Sequence, residues 1–176
     1  MNYLTLPIGS HAPEVVNAVV EVPRGESNKY EYDKSLQVFL LDRPLFASVH
    51  YPCEYGFIPG TLGGDGDALD ILILADQASF TGCVVEARPV GVLDMVDQEG
   101  PDQKILAVLA SDPEHNEIRN HADVFPHLLR EIEHFFSVYK QLEGKRTEVA
   151  GWRNVTQARE VINESRRRFE KNQKPE

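Results

Sequence analysis

The chain has 176 residues, 41% hydrophobic and 26% charged, enough for one soluble domain (residues 1–176) with a substantial core. Its net charge of −10 argues against a general nucleic-acid or anionic-membrane binder, which would carry a basic excess. A small anionic substrate stays open, provided metal ions and a few local cations reverse the field where it binds.

The start, MNYLTLPIGSHAPE, has neither the basic beginning nor the apolar stretch of a signal peptide, and no run approaches membrane-spanning length. Cys53 and Cys83 form no CxxC pair, which fits two reduced thiols in a cytoplasmic protein. In chain order, VVNAVVEV (15–22) predicts a strand that stops at Pro23. KYEYD (29–33) alternates, and LQVFLLD (36–42) follows after a short break. DILIL (70–74) is a continuous apolar run, the pattern of a strand buried on both faces. CVVEARPVGVLDMVD (83–97) is long, with Pro89 predicting a bulge or an edge, and QKILAVLA (103–110) is a further strand. Short strands punctuated by Gly, Pro and Asp point to an antiparallel barrel or sandwich.

After Ser111 the period changes. Pro126 can open a helix. Leu128, Leu129, Ile132, Phe135, Phe136, Tyr139 and Leu142 then recur at helical spacing, and Gly144 can end it. Asn154 can cap a second helix, with Gln157 three residues on and Val155, Ala158, Ile162, Ser165 and Phe169 as its inner face. The basic run at 166–168 complements that helix's C-terminal dipole. The expected fold is α+β, mainly β: a small barrel with two longer helices packed against it.

Three aspartates, Asp65, Asp67 and Asp70, crowd the mouth of the buried strand in GGDGDALDILIL (63–74). Like charges this close need a cation among them or water at all three. The glycines at 63, 64 and 66 permit a tight turn, and oxygen donors without His or Cys suit Mg2+ or Mn2+. An acidic surface turn has no need to precede a buried strand. An EF-hand loop fails because Leu69 and Asp70 stand where a ligand and a glycine belong. Asp97 and Asp102 flank a second turn. In a hairpin they would face each other at its closed end, with Lys104 on the face of Asp102, although a solvated hairpin tip is the commoner outcome. Lys29, Glu31 and Asp33 share one face of the alternating strand. Arg43 follows an apolar strand, Tyr55 lies in the unusually apolar stretch HYPCEYGFIPG, and Tyr139 and Lys140 sit at the helix stripe. Each of these has an ordinary structural explanation. Together, many carboxylates with a few cations and phenols suit a metal-bound phosphate.

GDGDALDILIL, VEVPRGESNKYEYD, LDRPLFASVHYPCEYGFIPGTL, ARPVGVLDMVDQEGPDQKILAV, HFFSVYKQLE and GW, in that order, resemble the family I soluble inorganic pyrophosphatases of the short bacterial type. Ala68 departs from the signature's usual proline, and Glu148 stands where relatives often have lysine. The resemblance implies a five-stranded OB-like barrel and hydrolysis of pyrophosphate with several Mg2+ ions, Mn2+ or Zn2+ being possible substitutes. It implies a homohexamer acting on a small molecule, with no nucleic acid or membrane partner. By resemblance, Asp65, Asp70 and Asp102 hold a first metal, and Asp70 also reaches a second. Asp97 and Asp102 hold one that arrives with substrate, and Asp67 is the general base. Lys29, Arg43, Tyr55, Tyr139 and Lys140 bind phosphate with Lys104 close by, while Glu21 and Glu31 hold metal-bound waters or lysines. Two alternatives stand beside this. A Nudix-like nucleotide hydrolase is disfavoured because His134 and Phe135 replace its acids. A non-enzymatic metal-binding module leaves the cations and tyrosines unexplained.

Overall fold

The structure is a computed structural model that describes residues 1–98 and 100–173. The strands are β1 (Val16–Val22), β2 (Asn28–Asp33), β3 (Val38–Pro44), β4 (Glu54–Phe57), β5 (Asp70–Leu74), β6 (Val84–Asp97), β7 (Gly100–Leu109) and β8 (Glu148–Asn154). The helices are α1 (Pro126–Val138) and α2 (Val155–Asn172), with short 3-10 turns between elements. Strands pair in the order β1-β4-β5-β7-β6-β8, and β1 also pairs with β6. Five strands therefore close a ring, β8 extends it from β6, and β2 and β3 form a separate hairpin. The ring is the expected OB-like arrangement with one refinement: β5 and β7 run parallel rather than antiparallel. That follows from the connectivity, because β6 lies between them in sequence but on the far side of β7 in space.

The long β6 serves three neighbours, which is why it needs a break. It pairs with β1 over Val84–Ala87, with β7 along most of its length, and with β8 from Gly91 onward. Its register slips between Pro89 and Gly91, where proline removes a ladder donor. In β5, alternate residues supply two different cores. Leu72 and Leu74 join Leu93, Met95, Leu106 and the α1 residues Ile132, Phe135 and Phe136, while Ile71 and Ile73 join Val92, Ile105 and the α2 residues Ala158, Val161 and Ile162. The unbroken apolar run is required because both faces are dry.

The strands β4 and β8 are not read from sequence. The first is four residues with a central glycine, and the second, EVAGWRN, is polar and lies at the edge, so neither shows a period. Helix α1 begins at Pro126 as expected but ends at Val138; Tyr139 caps it, and Leu142 falls in the following 3-10 turn, 68% exposed. Gly144, at φ 73°, closes that turn rather than the helix. In α2, the Asn154 side chain accepts from the N–H groups of Thr156 and Gln157. Arg166 and Arg168 pair with Glu170 and Glu164 one turn away, an ordinary solvated helix face.

Gly56 lets β4 lie flat on β1. A Cβ there would stand 1.9 Å from the Val19 carbonyl oxygen, so any side chain must push the strands apart. Replacing Gly56 with alanine is expected to destabilise the fold by at least about 1–3 kcal/mol, the scale of overpacking. The measurement is a urea melt, with a lower midpoint at unchanged slope.

Candidate active site

The period-2 rule builds one wall of the site. Asp70 is the first residue of β5 on the face that carries Leu72 and Leu74 into the α1 core. Its parallel partner on β7 is Lys104, and Tyr55 on β4 shares the same face through its pairing with Leu72. Asp102 lies two residues before Lys104, on that face again. Asp97 pairs with Gly100 and Asp102 with Met95, so the two carboxylates are diagonal neighbours, not directly opposed as the hairpin expectation had them. The diagonal widens their separation and reduces their repulsion.

Lys104 sits in the middle of this wall, 2% exposed. Its ammonium donates to Asp70 Oδ2 at 2.5 Å and to both Asp102 oxygens at 2.9 and 3.0 Å. The rings of Phe136 and Tyr55 flank it, their centroids 5.3 and 5.5 Å away. Burial alone would lower the lysine's pKa, but Asp70 and Asp102 more than offset it, so the group stays charged above its ordinary range. Tyr55 donates its hydroxyl to Asp70 Oδ2 at 2.7 Å. Burial next to Asp70 pushes the Tyr55 phenol well up, which keeps it a donor.

The opposite wall is the β2–β3 hairpin. Lys29 and Arg43 are direct cross-strand partners, beside a register slip that leaves Asp42 unpaired in the ladder. Two cations placed opposite each other repel, as two carboxylates would. Acids surround them: Lys29 contacts Glu31, and Arg43 contacts Asp42 and Glu143. Glu21 on β1 braces the hairpin by accepting the Tyr32 N–H at 2.8 Å. Burial raises its carboxyl to about 8, against that hydrogen bond, which favours the ion. The third side is the end of α1. There Tyr139 stacks on Phe135, and Lys140 reaches Asp97 Oδ2 at 3.3 Å. Burial works against the Lys140 charge, while Tyr139 and Asp97 raise its pKa overall.

Across the top lies the loop that carries Asp65 and Asp67. Gly66 takes φ +91°, a conformation that side chains resist, and the Gly63 N–H closes the turn onto the Asp67 carbonyl at 2.6 Å. Asp65 Oδ1 accepts the Asp67 N–H at 3.0 Å. Lys34, at the tip of the hairpin, pairs with the Asp67 carboxylate.

One cleft of about 440 Å³ is lined by every residue that the sequence nominated for a site: Asp65, Asp67, Asp70, Asp97, Asp102, Lys29, Arg43, Tyr55, Lys104, Tyr139, Lys140, Glu21 and Glu31. It is also lined by Lys34, Asp42 and Lys145, which sequence reasoning passed over. Lys34 and Lys145 are charged turn residues without periodic context. Asp42 adjoins Arg43, and only the register slip gives it a role. Among the described residues, no three His, Cys, Asp or Glu side chains already converge as a metal cage. The donor chemistry still fits a hard cation. Asp65, Asp70, Asp97 and Asp102 offer only oxygen, and the clustered carboxylates already recruit the ammonium groups of Lys104 and Lys140.

The inorganic pyrophosphatase family model matches residues 18–170. The chain belongs to the inorganic pyrophosphatase family. An inorganic pyrophosphatase of a Nostoc species is 47% identical over 153 residues, covering 87% of this chain and 90% of the relative. One from Methanosarcina mazei is 48% identical over 161 residues, covering 92% and 95%. The crystal structure of the Thermus thermophilus inorganic pyrophosphatase superposes with a TM-score of 0.95 at 45% identity, over 97% of this chain and 99% of that one. Within this family frame, Ala68 lines the cleft beside Asp67 without removing an acid from the loop. Glu148 lies on the outer strand β8 and is not among the cleft residues.

The Lys104 ammonium is the cation that lets two carboxylates share a wall backed by the core. Replacing it with methionine keeps the length and deletes the charge, so the acids lose their partner. Stability is expected to fall by about 1–3 kcal/mol, the scale for leaving a partly buried polar group without its partner. A thermal melt checks this, and added Mg2+ should raise the variant's midpoint by more than the parent's.

Proposed function

We propose that the protein hydrolyses inorganic pyrophosphate to two orthophosphates in this cleft, with Mg2+ as its resident cofactor and Mn2+ or Zn2+ as possible substitutes. The observation that carries the proposal is the division of one small cleft. Clustered carboxylates occupy the β5–β7 wall and the loop above it, and opposed cations occupy the hairpin wall. A small, compact and highly charged anion needs both. Family membership supports the same activity.

In this proposal Asp65, Asp70, Asp97 and Asp102 hold the metal. Bound Mg2+ would supply a water of lowered pKa and neutralise charge on the substrate. The rest is the chain's own work. Asp67, on its exposed loop, accepts the proton of the attacking water. Lys34 can leave Asp67 for the substrate's oxygens, because both side chains are largely exposed and their pair is weak in water. Arg43 binds the phosphoryl groups, Lys29 and Lys140 orient them and stabilise the leaving phosphate, Tyr139 adds a hydroxyl donor, and Tyr55 lies beside the substrate while its hydroxyl holds Asp70. Glu21 and Glu31 hold the hairpin wall in register against the lysines. The acidic total charge is compatible with this substrate because these cations and the metal reverse the field locally. Tyr139 stacks on Phe135 and Tyr55 packs at a tilt against Phe136, so both tyrosines belong to the aromatic cluster behind the cleft. Among the described residues, no helix is long and apolar enough to cross a membrane; a cytoplasmic location is proposed on the family resemblance. A homohexameric assembly is proposed on the family resemblance.

Phosphate release is expected from Mg-pyrophosphate and not from ATP, and Ca2+ should inhibit, since it prefers longer and looser coordination than Mg2+. Asp67→Asn is expected to lower turnover by ~10²–10⁴, the scale of general-base loss, with little change in Mg2+ binding by calorimetry. Asp70→Asn should weaken Mg2+ binding instead, and extra Mg2+ should restore part of its activity. Rescue of the Asp67 variant alone would reverse the two assignments.

A further inference from the structure

Arg43 and Glu143 are a hundred residues apart in sequence and meet at the rim of the cleft. Arg43 Nε donates to Glu143 Oε1 at 2.9 Å. The glutamate side chain is only 7% exposed, unusual for a residue in a surface turn. Its 3-10 turn (Gln141–Glu143) is fixed at both ends. Lys140 precedes it, Gly144 closes it, and the Lys145 N–H returns to the Lys140 carbonyl at 3.2 Å. Tyr139, Lys140 and Lys145 line the cleft from this turn, whereas Glu143 does not.

An arginine offers five N–H donors in one rigid plane. Here Nε is taken by Glu143 and one terminal nitrogen, Nη1, by Asp42. The other, Nη2, has no hydrogen-bond partner among the described residues, and Arg43 lines the cleft. Two acids on two different elements thus fix the plane and leave Nη2 for a ligand. A buried carboxylate beside a site for anions weakens binding unless it does something else. Asp42 adjoins Arg43 on the same strand and moves with it; Glu143 comes from the other side of the rim and supplies an external reference.

We infer that Glu143 is a positioning residue for substrate binding: it sets the plane of the Arg43 guanidinium and ties the β2–β3 hairpin to the α1 side of the cleft. The inference rests on the phosphate role proposed above for Arg43. Holding the side chain in its binding geometry before substrate arrives removes a conformational cost from the binding step. Because both ends of the pair are largely buried, each also needs the other for its charge. A merely structural pair would show that second effect alone.

The experiment compares Glu143→Ala, Glu143→Gln, Arg43→Ala and the Glu143→Ala/Arg43→Ala double variant in steady-state hydrolysis of Mg-pyrophosphate, with thermal midpoints alongside. Glu143→Ala is expected to raise KM about ten- to a hundred-fold, the equivalent of one hydrogen bond to a charged group, with kcat within about threefold. Glu143→Gln keeps an oxygen that accepts from Nε and should return KM to within about threefold of the parent. In the Arg43→Ala background, Glu143→Ala should add no more than about a further twofold to KM. If Arg43→Ala raises KM while Glu143→Ala leaves it unchanged, or if the two effects multiply in full, the positioning role is wrong and the phosphate role of Arg43 stands. If Arg43→Ala leaves KM unchanged, the phosphate role itself fails and takes this inference with it. Should Glu143→Ala not fold, Glu143→Asp replaces it. That side chain is one methylene too short to reach Nε, so its KM should rise while that of Glu143→Gln does not, and a parental KM for Glu143→Asp overturns the inference.

Discussion

The ammonium of Lys104 is the interaction on which the site depends. It is buried between Asp70 and Asp102, where β5 and β7 pair in parallel and the residues that follow on each strand, 71–74 and 105–108, are core. Without a cation, two carboxylates could not share a wall backed by Leu72, Leu106 and Phe136. With it, the wall is both charged and rigid, because each strand is fixed from behind by packing on both faces.

The same logic recurs with the sign reversed on the hairpin. Lys29 and Arg43 are forced into direct opposition by the β2–β3 register, and acids from three places hold them. The cleft therefore juxtaposes two frustrated clusters, one acidic and one basic, each only partly satisfied by its own neighbours. An anion accompanied by divalent metal satisfies both at once, which links local electrostatic strain to the proposed activity. The strain is tolerated because the surrounding frame is over-determined: a closed ring of strands, two helices and a long β6 that contacts three neighbours.

Much of this was legible in the residues. DILIL announced a strand dry on both faces, Pro89 announced the slip in β6, Pro126 the start of α1, and Asn154 the cap of α2. The crowding of Asp65, Asp67 and Asp70 announced a need for positive charge. Other features left no trace. The strand β8 has no alternation because its partner β6 supplies the hydrogen bonds and only part of it is covered. Leu142 matched the helical stripe but lies beyond the helix end, since the chain turns at Lys140 to bring Glu143 against Arg43.

The sequence by itself determined what each segment had to bury and which charges had to find partners, because periodicity and local crowding act over a few residues. It also carried the ordered set of motifs that resembles the family to which the chain belongs. Only the tertiary structure decided the pairings. Lys104 meets Asp70 because β5 and β7 lie parallel, Asp97 and Asp102 are diagonal because of the β6–β7 register, and Lys34 and Glu143 reach Asp67 and Arg43 across distances that no local pattern encodes. Register and strand order arise from the packing of the whole ring, and a shift of one residue would turn Asp70, Asp97, Asp102 and Lys104 to the opposite face.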